Sequence, residues 1–123
     1  MRIISQFPDY YPVIVRSKLF DEMWRKSDCY ISSWNGGPRS RWFVYEPYPK
    51  IKAFVAAEVS FDDIHGISFV NGRHRTRWFL NKECDYLPVC ITLDEKDKWH
   101  SNGLLVKFCS MIEFDLGNFT FAD

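Results

Sequence analysis

Four basic side chains follow an Asn-Gly pair in the middle of the chain. The stretch comprises Asn71 and Gly72, then Arg73, His74, Arg75 and Arg77. Asparagine is a good helix N-cap and glycine permits a tight turn, so the pattern predicts a helix over 73–82. The first turn of a helix has unpaired N–H groups and a positive dipole end, so an exposed cation there is unfavourable by about 0.3–1 kcal/mol. A bound anion reverses that sign, and the pattern therefore favours a phosphate site.

Two interpretations of these arginines stay open at this point. In the first, a phosphate group is bound by Asn71, Gly72, Arg73, Arg75 and Arg77. In the second, Arg73 or Arg75 forms an internal ion pair with an acidic side chain from a neighbouring segment. The available acids are Glu58, Asp62, Asp63 and Asp85. An open concavity beside the arginines would support the first interpretation, because a ligand needs room to reach them.

An acidic segment precedes this unit and supplies the carboxylates that could take part in catalysis. Hydrolysis of a phosphate ester needs an activated water, and the catalytic candidates are Glu58, Asp62, Asp63 and His74, with His65 nearby. The same carboxylates could hold Mg²⁺ near a phosphate. Alternatively, two aspartates before a glycine are typical of a solvated turn closed by a side-chain hydrogen bond. The sequence contains no Walker-type loop and no Ser/His/Asp arrangement.

Arginines and aromatic residues alternate around a second turn, Asn35-Gly-Gly-Pro38. Arg39, Arg41 and Trp42 are candidates for nucleic-acid binding, since aromatic rings stack on bases and arginines hold phosphates. The alternative is a hairpin with an aromatic core face and an arginine-bearing solvent face. A further run of basic residues would be needed to favour the first interpretation.

These residues must be positioned by short strands and helices, and the pattern predicts an α+β domain with one compact mixed sheet. The predicted strands are 11–16, 29–34, 40–45, 56–61, 67–70, 89–93, 104–109, 111–116 and 119–121. The predicted helices begin at Ser17, which can act as a cap, at Pro49 (through Phe54), at Arg73, and at Asp94 (through His100) after a capping box from Thr92 to Glu95. Residues 104–123 form an apolar C-terminal extension, which could close the sheet or pair with a protein partner.

Composition limits the function classes. The 123 residues predict one domain, 1–123, and the net charge of zero with pI 6.8 argues against a protein that coats DNA electrostatically. The four cysteines show no Cys-x-x-Cys pair, so no resident metal site is assigned. No signal peptide and no membrane span is evident, and a cytoplasmic location with free thiols is expected.

The motif Gly72-Arg73-His74-Arg75 resembles the Gly-x-x-Arg turn of the ParB/sulfiredoxin superfamily. A longer scattered pattern over about 10–93 resembles the plasmid fertility inhibition factors, and it includes Leu19-Phe-Asp-Glu-Met-Trp24, Val59-Ser-Phe-Asp-Asp63 and Ile67-Ser-Phe-Val-Asn-Gly-Arg-His-Arg75. The resemblance implies that Gly72 lets the backbone approach a phosphate and that Arg75 binds it, with His74 beside it. Arg73 stands where sulfiredoxins have a reactive cysteine and ParB proteins a glutamate.

The resemblance implies a plasmid-encoded protein that blocks conjugative DNA transfer. It also implies a nucleotide ligand, ATP or CTP, or DNA, and ATPase or deoxyribonuclease activity. The Mg²⁺ that the acidic segment could hold would be the accompanying ion. The competing hypothesis is a non-catalytic inhibitor that binds a coupling protein or relaxase of the transfer machinery. Neither hypothesis specifies the oligomeric state.

Overall fold

The computed structural model describes residues 2–45 and 51–108, and its α+β class confirms the predicted one. Among these residues eight strands form two sheets, where one sheet was predicted. The strands are β1 (Arg2–Ile4), β2 (Tyr10–Arg16), β3 (Phe43–Tyr45), β4 (Ile51–Val55), β5 (Ala57–Asp62), β6 (Gly66–Asn71), β7 (Tyr86–Thr92) and β8 (Leu105–Phe108). The helices are α1 (Ser17–Trp24), α2 (Arg73–Leu80) and α3 (Lys96–Ser101).

The larger sheet has the strand order β6-β5-β7-β2-β8, and the smaller sheet has the order β1-β4-β3. Strands β5 and β6 form an antiparallel hairpin, and β7 lies parallel to β5 on its other side. A parallel neighbour requires a crossover, and here the crossover contains α2. The turn from β6 into α2 therefore lies beside the start of β5, where Glu58 is paired in register with Asn71.

Aromatic side chains fill the core on both sides of the larger sheet, which accounts for the high aromatic content. Phe20 and Trp24 of α1 contact Phe69 of β6, at ring-centroid distances of 6.2 and 4.8 Å. Trp78 and Phe79 of α2 pack against Phe54 of the smaller sheet. Each such pair contributes about 0.5–1.5 kcal/mol beyond the area that it buries. This packing fixes α2, and with it the basic turn, between the two sheets.

The predicted strand 29–34 is wrong, because the segment has no strand structure. Two of its carbonyl groups accept hydrogen bonds from side chains of α2 and its C-cap residue instead of from a neighbouring strand. Arg77 donates from Nε to the Ile31 carbonyl at 2.7 Å, and Asn81 donates from Nδ2 to the Trp34 carbonyl at 3.2 Å. Local periodicity cannot reveal this competition between side-chain and ladder hydrogen bonds.

The predicted helix from Pro49 to Phe54 is also wrong where the structure describes it. Ile51–Val55 is the central strand of the smaller sheet, parallel to β1 and antiparallel to β3. Its last three residues are buried, and pairing on both edges outweighs any helix propensity. Of the predicted strand 40–45, only Phe43–Tyr45 is extended, because Ser40–Trp42 forms a 3₁₀ turn.

Three predicted caps are absent. Ser17 is the first residue of α1 rather than its cap, and Gly72 rather than Asn71 is the N-cap of α2. Glu95 does not close a capping box, since its Oε1 accepts hydrogen bonds from the Phe61 N–H at 2.8 Å and from Trp99 Nε1 at 2.9 Å. The predicted helix 94–100 is accordingly a 3₁₀ turn at Leu93–Glu95 followed by α3.

The other predicted elements are confirmed within a few residues. These are the strands now seen as β2, β5, β6, β7 and β8 and the helices α1 and α2. Strand β8 pairs with β2, so this part of the C-terminal extension adds an edge strand to the larger sheet. The predicted strands 111–116 and 119–121 lie outside the described residues. No helix in the described ranges is both long and apolar enough to cross a membrane.

Candidate anion-binding site

An open pocket of about 660 Å³ lies beside the turn from β6 into α2. One wall is this turn, and another is the loop that precedes β3. The described lining residues are Gln6, Cys29, Arg39, Arg41, Trp42, Phe69, Val70, Asn71, Gly72, Arg73, His74 and Arg75. Three predicted nucleic-acid contacts and four predicted phosphate ligands, together with His74, therefore share one concavity.

Gly72 forms the turn and cannot be replaced there without strain. Its φ of +99° is in the left-handed region, which side chains disfavour. A Cβ at this position would lie 2.6 Å from the Cβ of Ala57 and 2.8 Å from Nε of Arg75. The space that a Cβ would take is thus used by the Arg75 guanidinium, and this glycine positions an arginine as well as a backbone turn.

The N-terminus of α2 has no side-chain cap. The first intrahelical bond runs from the Thr76 N–H to the Gly72 carbonyl at 3.1 Å, and the Thr76 hydroxyl donates to the same carbonyl at 2.9 Å. The N–H groups that precede Thr76 have no carbonyl one turn earlier in the helix to accept from them. Residues 72–75 line the pocket, so the positive end of the helix dipole lies at its wall.

Arg75 is the most informative side chain of the site, because it is buried although it is charged. It is 5% exposed, it lines the pocket, and its Nε and Nη2 atoms have no hydrogen-bond partner. Its ion-pair partner is Glu58, with Nη2 and Oε2 separated by 3.6 Å. A guanidinium has five N–H donors, and buried donors without acceptors are destabilising by about 1–3 kcal/mol each. The internal ion pair foreseen as an alternative thus coexists with an open pocket.

The other basic side chains of the lining are Arg39, Arg41, Arg73 and His74, and the arginines add to the positive potential. Partial burial lowers the pKa of His74, and the nearby Arg73 and Arg39 lower it further. Burial also lowers the pKa of Arg75, Glu58 opposes that shift, and Arg41 adds to it. The described lining of the pocket contains no carboxylate. The arrangement is suited to an anion, which would relieve the repulsion between these cations.

Aromatic rings flank the cations. The Trp34 ring centroid lies 5.5 Å from that of His74 and 5.4 Å from that of Trp42, and the Arg39 guanidinium lies over Trp34 at 5.9 Å. Trp42 is buried against Trp78 of α2. These contacts fix the second wall of the pocket. Trp42 thus has a core role in addition to its place in the lining.

Arg77 does not face the pocket with the other arginines. It forms an ion pair with Asp21 of α1 at 2.6 Å and lies between the rings of Trp24 and Tyr30. Residues two apart on a helix project about 200° apart, so Arg75 and Arg77 point in nearly opposite directions. This spacing was the sequence signal that could have separated the two. Asp21 was not among the predicted ion-pair partners.

The candidates Asp62, Asp63 and His65 lie at the tip of the β5–β6 hairpin, at the opposite end from Asn71. Asp62 Oδ1 accepts hydrogen bonds from the Ile64 and His65 N–H groups at 2.7 and 2.9 Å, and these bonds lower the pKa of Asp62. The tip is therefore the solvated turn foreseen as an alternative. Glu58 is at the end of the hairpin next to the pocket, but it does not line the pocket and contacts Arg75, which does.

The described residues do not form a site for a magnesium ion held by the protein. Within the described ranges no three His, Cys, Asp or Glu side chains are placed to share a metal. Mg²⁺ prefers carboxylate oxygens, and none lines this pocket. The part of the chain that the structure describes therefore offers no carboxylate set for such an ion at this pocket, and the ligand's own phosphates would have to supply ligands to it.

Sequence reasoning missed the contributions of Gln6 and Cys29 to the lining. Gln6 lies between β1 and β2, far from the basic turn in sequence, and it accepts a hydrogen bond from Asn71 Nδ2 at 3.4 Å. Cys29 is the first residue of the segment that was predicted as a strand. Neither residue carries a local signal, since only the packing of distant segments brings them here.

Comparison with protein families yields one finding. The family model described as Plasmid Fertility inhibition factor matches residues 12–101, from within β2 to the end of α3. No curated protein and no solved structure matches the chain. The family match covers well over half of the chain and includes the basic turn of the pocket. The chain therefore belongs to the plasmid fertility inhibition factor family.

Proposed function

We propose that this protein blocks conjugative DNA transfer and that its pocket binds the phosphate groups of a nucleotide such as ATP or CTP. The observation that carries the proposal is Arg75: a buried guanidinium with unpartnered N–H donors, lining an open pocket beside an uncapped helix N-terminus. The resemblance of Gly72-Arg73-His74-Arg75 to the ParB/sulfiredoxin turn supports the same assignment.

The roles of the residues follow from their positions. Gly72 and the first-turn amides of α2 would bind one phosphate, and the buried Arg75 and its more exposed neighbour Arg73 would donate further hydrogen bonds to it. Arg39 and Arg41 would contact further phosphates from the opposite wall. The pocket of about 660 Å³ lies within the range of roughly 300–1,000 Å³ that is usual for small-molecule sites. A mononucleotide therefore suits it better than a duplex, and the end of a DNA strand is the other source of the same phosphate chemistry.

Hydrolysis is the second candidate activity, and the position and lowered pKa of His74 favour it. His74 lines the pocket, and burial together with Arg73 and Arg39 lowers its pKa, which favours the neutral imidazole that could accept a proton from an attacking water. The water oxygen would bond to the terminal phosphorus as the bond to the leaving phosphate oxygen breaks. Arginines in the pocket would stabilise the charge on the equatorial oxygens. Asp62 and Asp63 have no role in this scheme because they lie at the hairpin tip.

The test is nucleotide-dependent stabilisation, measured by thermal unfolding with ATP, CTP and ADP, each with and without Mg²⁺. We expect stabilisation that disappears in Arg75→Met and persists in Arg77→Met, a matched change on the same helix. Because Arg75→Met leaves Glu58 buried without a counter-ion, the double variant Glu58→Gln/Arg75→Met is measured beside it. A wild-type protein that gains no stability in millimolar nucleotide, or an Arg75→Met variant that responds fully, would overturn the proposal.

The alternative is that the protein is a non-catalytic inhibitor, and the exposed apolar side chains of strand β8 favour it. Among the described residues β8 is an edge strand of the larger sheet, and Val106 and Phe108 are exposed on it. A coupling protein or relaxase could extend the sheet at such an edge. Mating assays discriminate the two: if Arg75→Met abolishes nucleotide binding but inhibits transfer as strongly as the wild type does, the alternative is correct. If inhibition is lost together with binding, the nucleotide site is required.

A further inference from the structure

Glu58 is the deepest charged group near the pocket, and its environment is unusual. Its side chain is 0% exposed, and neither carboxylate oxygen has a hydrogen-bond partner. The backbone around it is fixed, because β5 is a central strand and Glu58 is in register with Asn71 on one side and Cys90 on the other. Among the described residues, its one ion-pair partner is Arg75. The carboxylate therefore depends on this guanidinium for compensation of its buried charge.

The guanidinium of Arg75 lies between two different environments. On one side it lines the pocket, and on the other Nη2 faces Glu58 at 3.6 Å, which is too long for a hydrogen bond. Glu58 itself does not line the pocket, so it cannot touch a bound ligand. With five N–H donors, one guanidinium can serve a carboxylate and an anion at the same time.

A β-bulge sets this geometry. The register of the hairpin shifts between Glu58 and Val59, whose partners are Asn71 and Phe69, so Val70 is the additional residue. The bulge brings Gly72 next to the start of β5, and the absence of a Cβ there leaves room for the Arg75 guanidinium. Arg75 is thus held between Gly72 and Glu58 before any ligand arrives.

We propose that Glu58 is a specificity-determining residue that shares Arg75 with the bound anion and thereby limits how much negative charge the pocket accepts. The inference rests on the proposed phosphate-binding function of the pocket. Its physical basis is that a carboxylate behind the guanidinium subtracts from the positive potential that a ligand experiences. The effect grows with ligand charge, since each additional charge interacts with the same carboxylate.

The experiment compares Glu58→Gln with the wild type by isothermal titration with inorganic phosphate and with pyrophosphate, without divalent metal. Glutamine keeps the shape and an acceptor oxygen but removes the charge. We expect Glu58→Gln to bind pyrophosphate roughly tenfold more tightly, because the carboxylate lies 3.6 Å from Nη2 and its screened repulsion of an anion on the other side of the guanidinium increases with the charge of that anion; phosphate should show a smaller gain. The control Asp97→Asn makes the same change in net charge on α3, beside β8 at the far edge of the sheet, and should alter neither affinity.

The outcomes are separable from those of the proposed function. If neither the wild type nor Glu58→Gln binds pyrophosphate, the phosphate site itself is wrong and this inference falls with it. If the wild type binds and Arg75→Met does not, but Glu58→Gln binds equally or more weakly, the site stands and only the role of Glu58 is refuted. Circular dichroism and thermal unfolding verify the fold. Glu58→Met, which is apolar and of similar volume, replaces Glu58→Gln if the latter does not fold, with the same expected tightening.

Discussion

Replacing Gly72 by alanine is the sharpest perturbation that the structure offers. The change adds a single methyl group. This group would lie 2.6 Å from Ala57 Cβ and 2.8 Å from Arg75 Nε, and both distances are too short for van der Waals contact. Ala57 is buried on a central strand and cannot retreat. The Arg75 guanidinium is the more mobile of the two, so we expect it to be displaced toward the pocket.

Two contributions add up in the expected loss of stability of Gly72→Ala. A left-handed φ is unfavourable by about 1–2 kcal/mol for a residue with a Cβ, and overpacking of a close contact adds about 1–3 kcal/mol. Gly72→Ala should therefore lower the free energy of unfolding by about 2–5 kcal/mol. Displacement of Arg75 should also weaken pyrophosphate or ATP binding by about tenfold or more, since misplaced donors lose charge-assisted hydrogen bonds.

Gly103→Ala is the matched control. Gly103 also has a left-handed φ, of +76°, but a Cβ there would have Leu19 Cδ2 at 3.7 Å as its nearest neighbour, which is an ordinary contact. This variant should lose only the backbone term, about 1–2 kcal/mol, and should bind the anion as the wild type does. Urea unfolding and isothermal titration of both variants provide the comparison.

The result that refutes this reasoning is specific. If Gly72→Ala and Gly103→Ala lose equal stability and Gly72→Ala keeps its anion affinity, the close approach of the guanidinium to Gly72 has no energetic consequence. A crystal structure of Gly72→Ala with Arg75 in its original position would lead to the same conclusion.

Two further predictions concern the remaining basic residues of α2. Arg77→Met should lower the free energy of unfolding by about 2–4 kcal/mol, because Asp21 loses the closer of its two arginine partners, Arg25 remaining at 3.5 Å, and the Ile31 carbonyl loses its donor. Anion affinity, measured by titration, should change less than twofold, and a larger loss would place Arg77 at the site. For His74, burial and the nearby Arg73 and Arg39 lower the pKa, so the folded state resists protonation of the ring. The free energy of unfolding should therefore decrease as the pH falls below the ordinary histidine pKa of 6.5. A bound anion should raise the pKa of His74. NMR titration of the His74 ring with and without pyrophosphate measures both effects, and an unchanged pKa in the bound state would contradict the assigned contact.

The basic turn was accessible from the sequence because its signals are local. A strand, a glycine turn and a helix in consecutive residues can be predicted without knowledge of the rest of the chain. The sequence also shows directly that basic residues lie at the helix end where the dipole disfavours them. Glu58 was among the acids named as possible partners, although its separation of seventeen residues from Arg75 gave no reason to choose it over Asp62 or Asp63. That choice depends on where the hairpin turns and on its register, since the turn places Asp62 and Asp63 at the tip and a slip of one residue would move Glu58 to the other face of the sheet.

Only the tertiary structure decided which basic side chains act together. Arg39 and Arg41 join the pocket because the loop before β3 packs on α2 through Trp42, and no short-range pattern encodes that contact. Arg77 leaves it because Asp21 on α1 provides a charge and Trp24 an aromatic face. Local propensity determines where a helix begins and which way its residues point, but partners for buried charges come from segments distant in sequence. The sequence by itself therefore determined the position of the turn and its family, and packing determined what the turn faces.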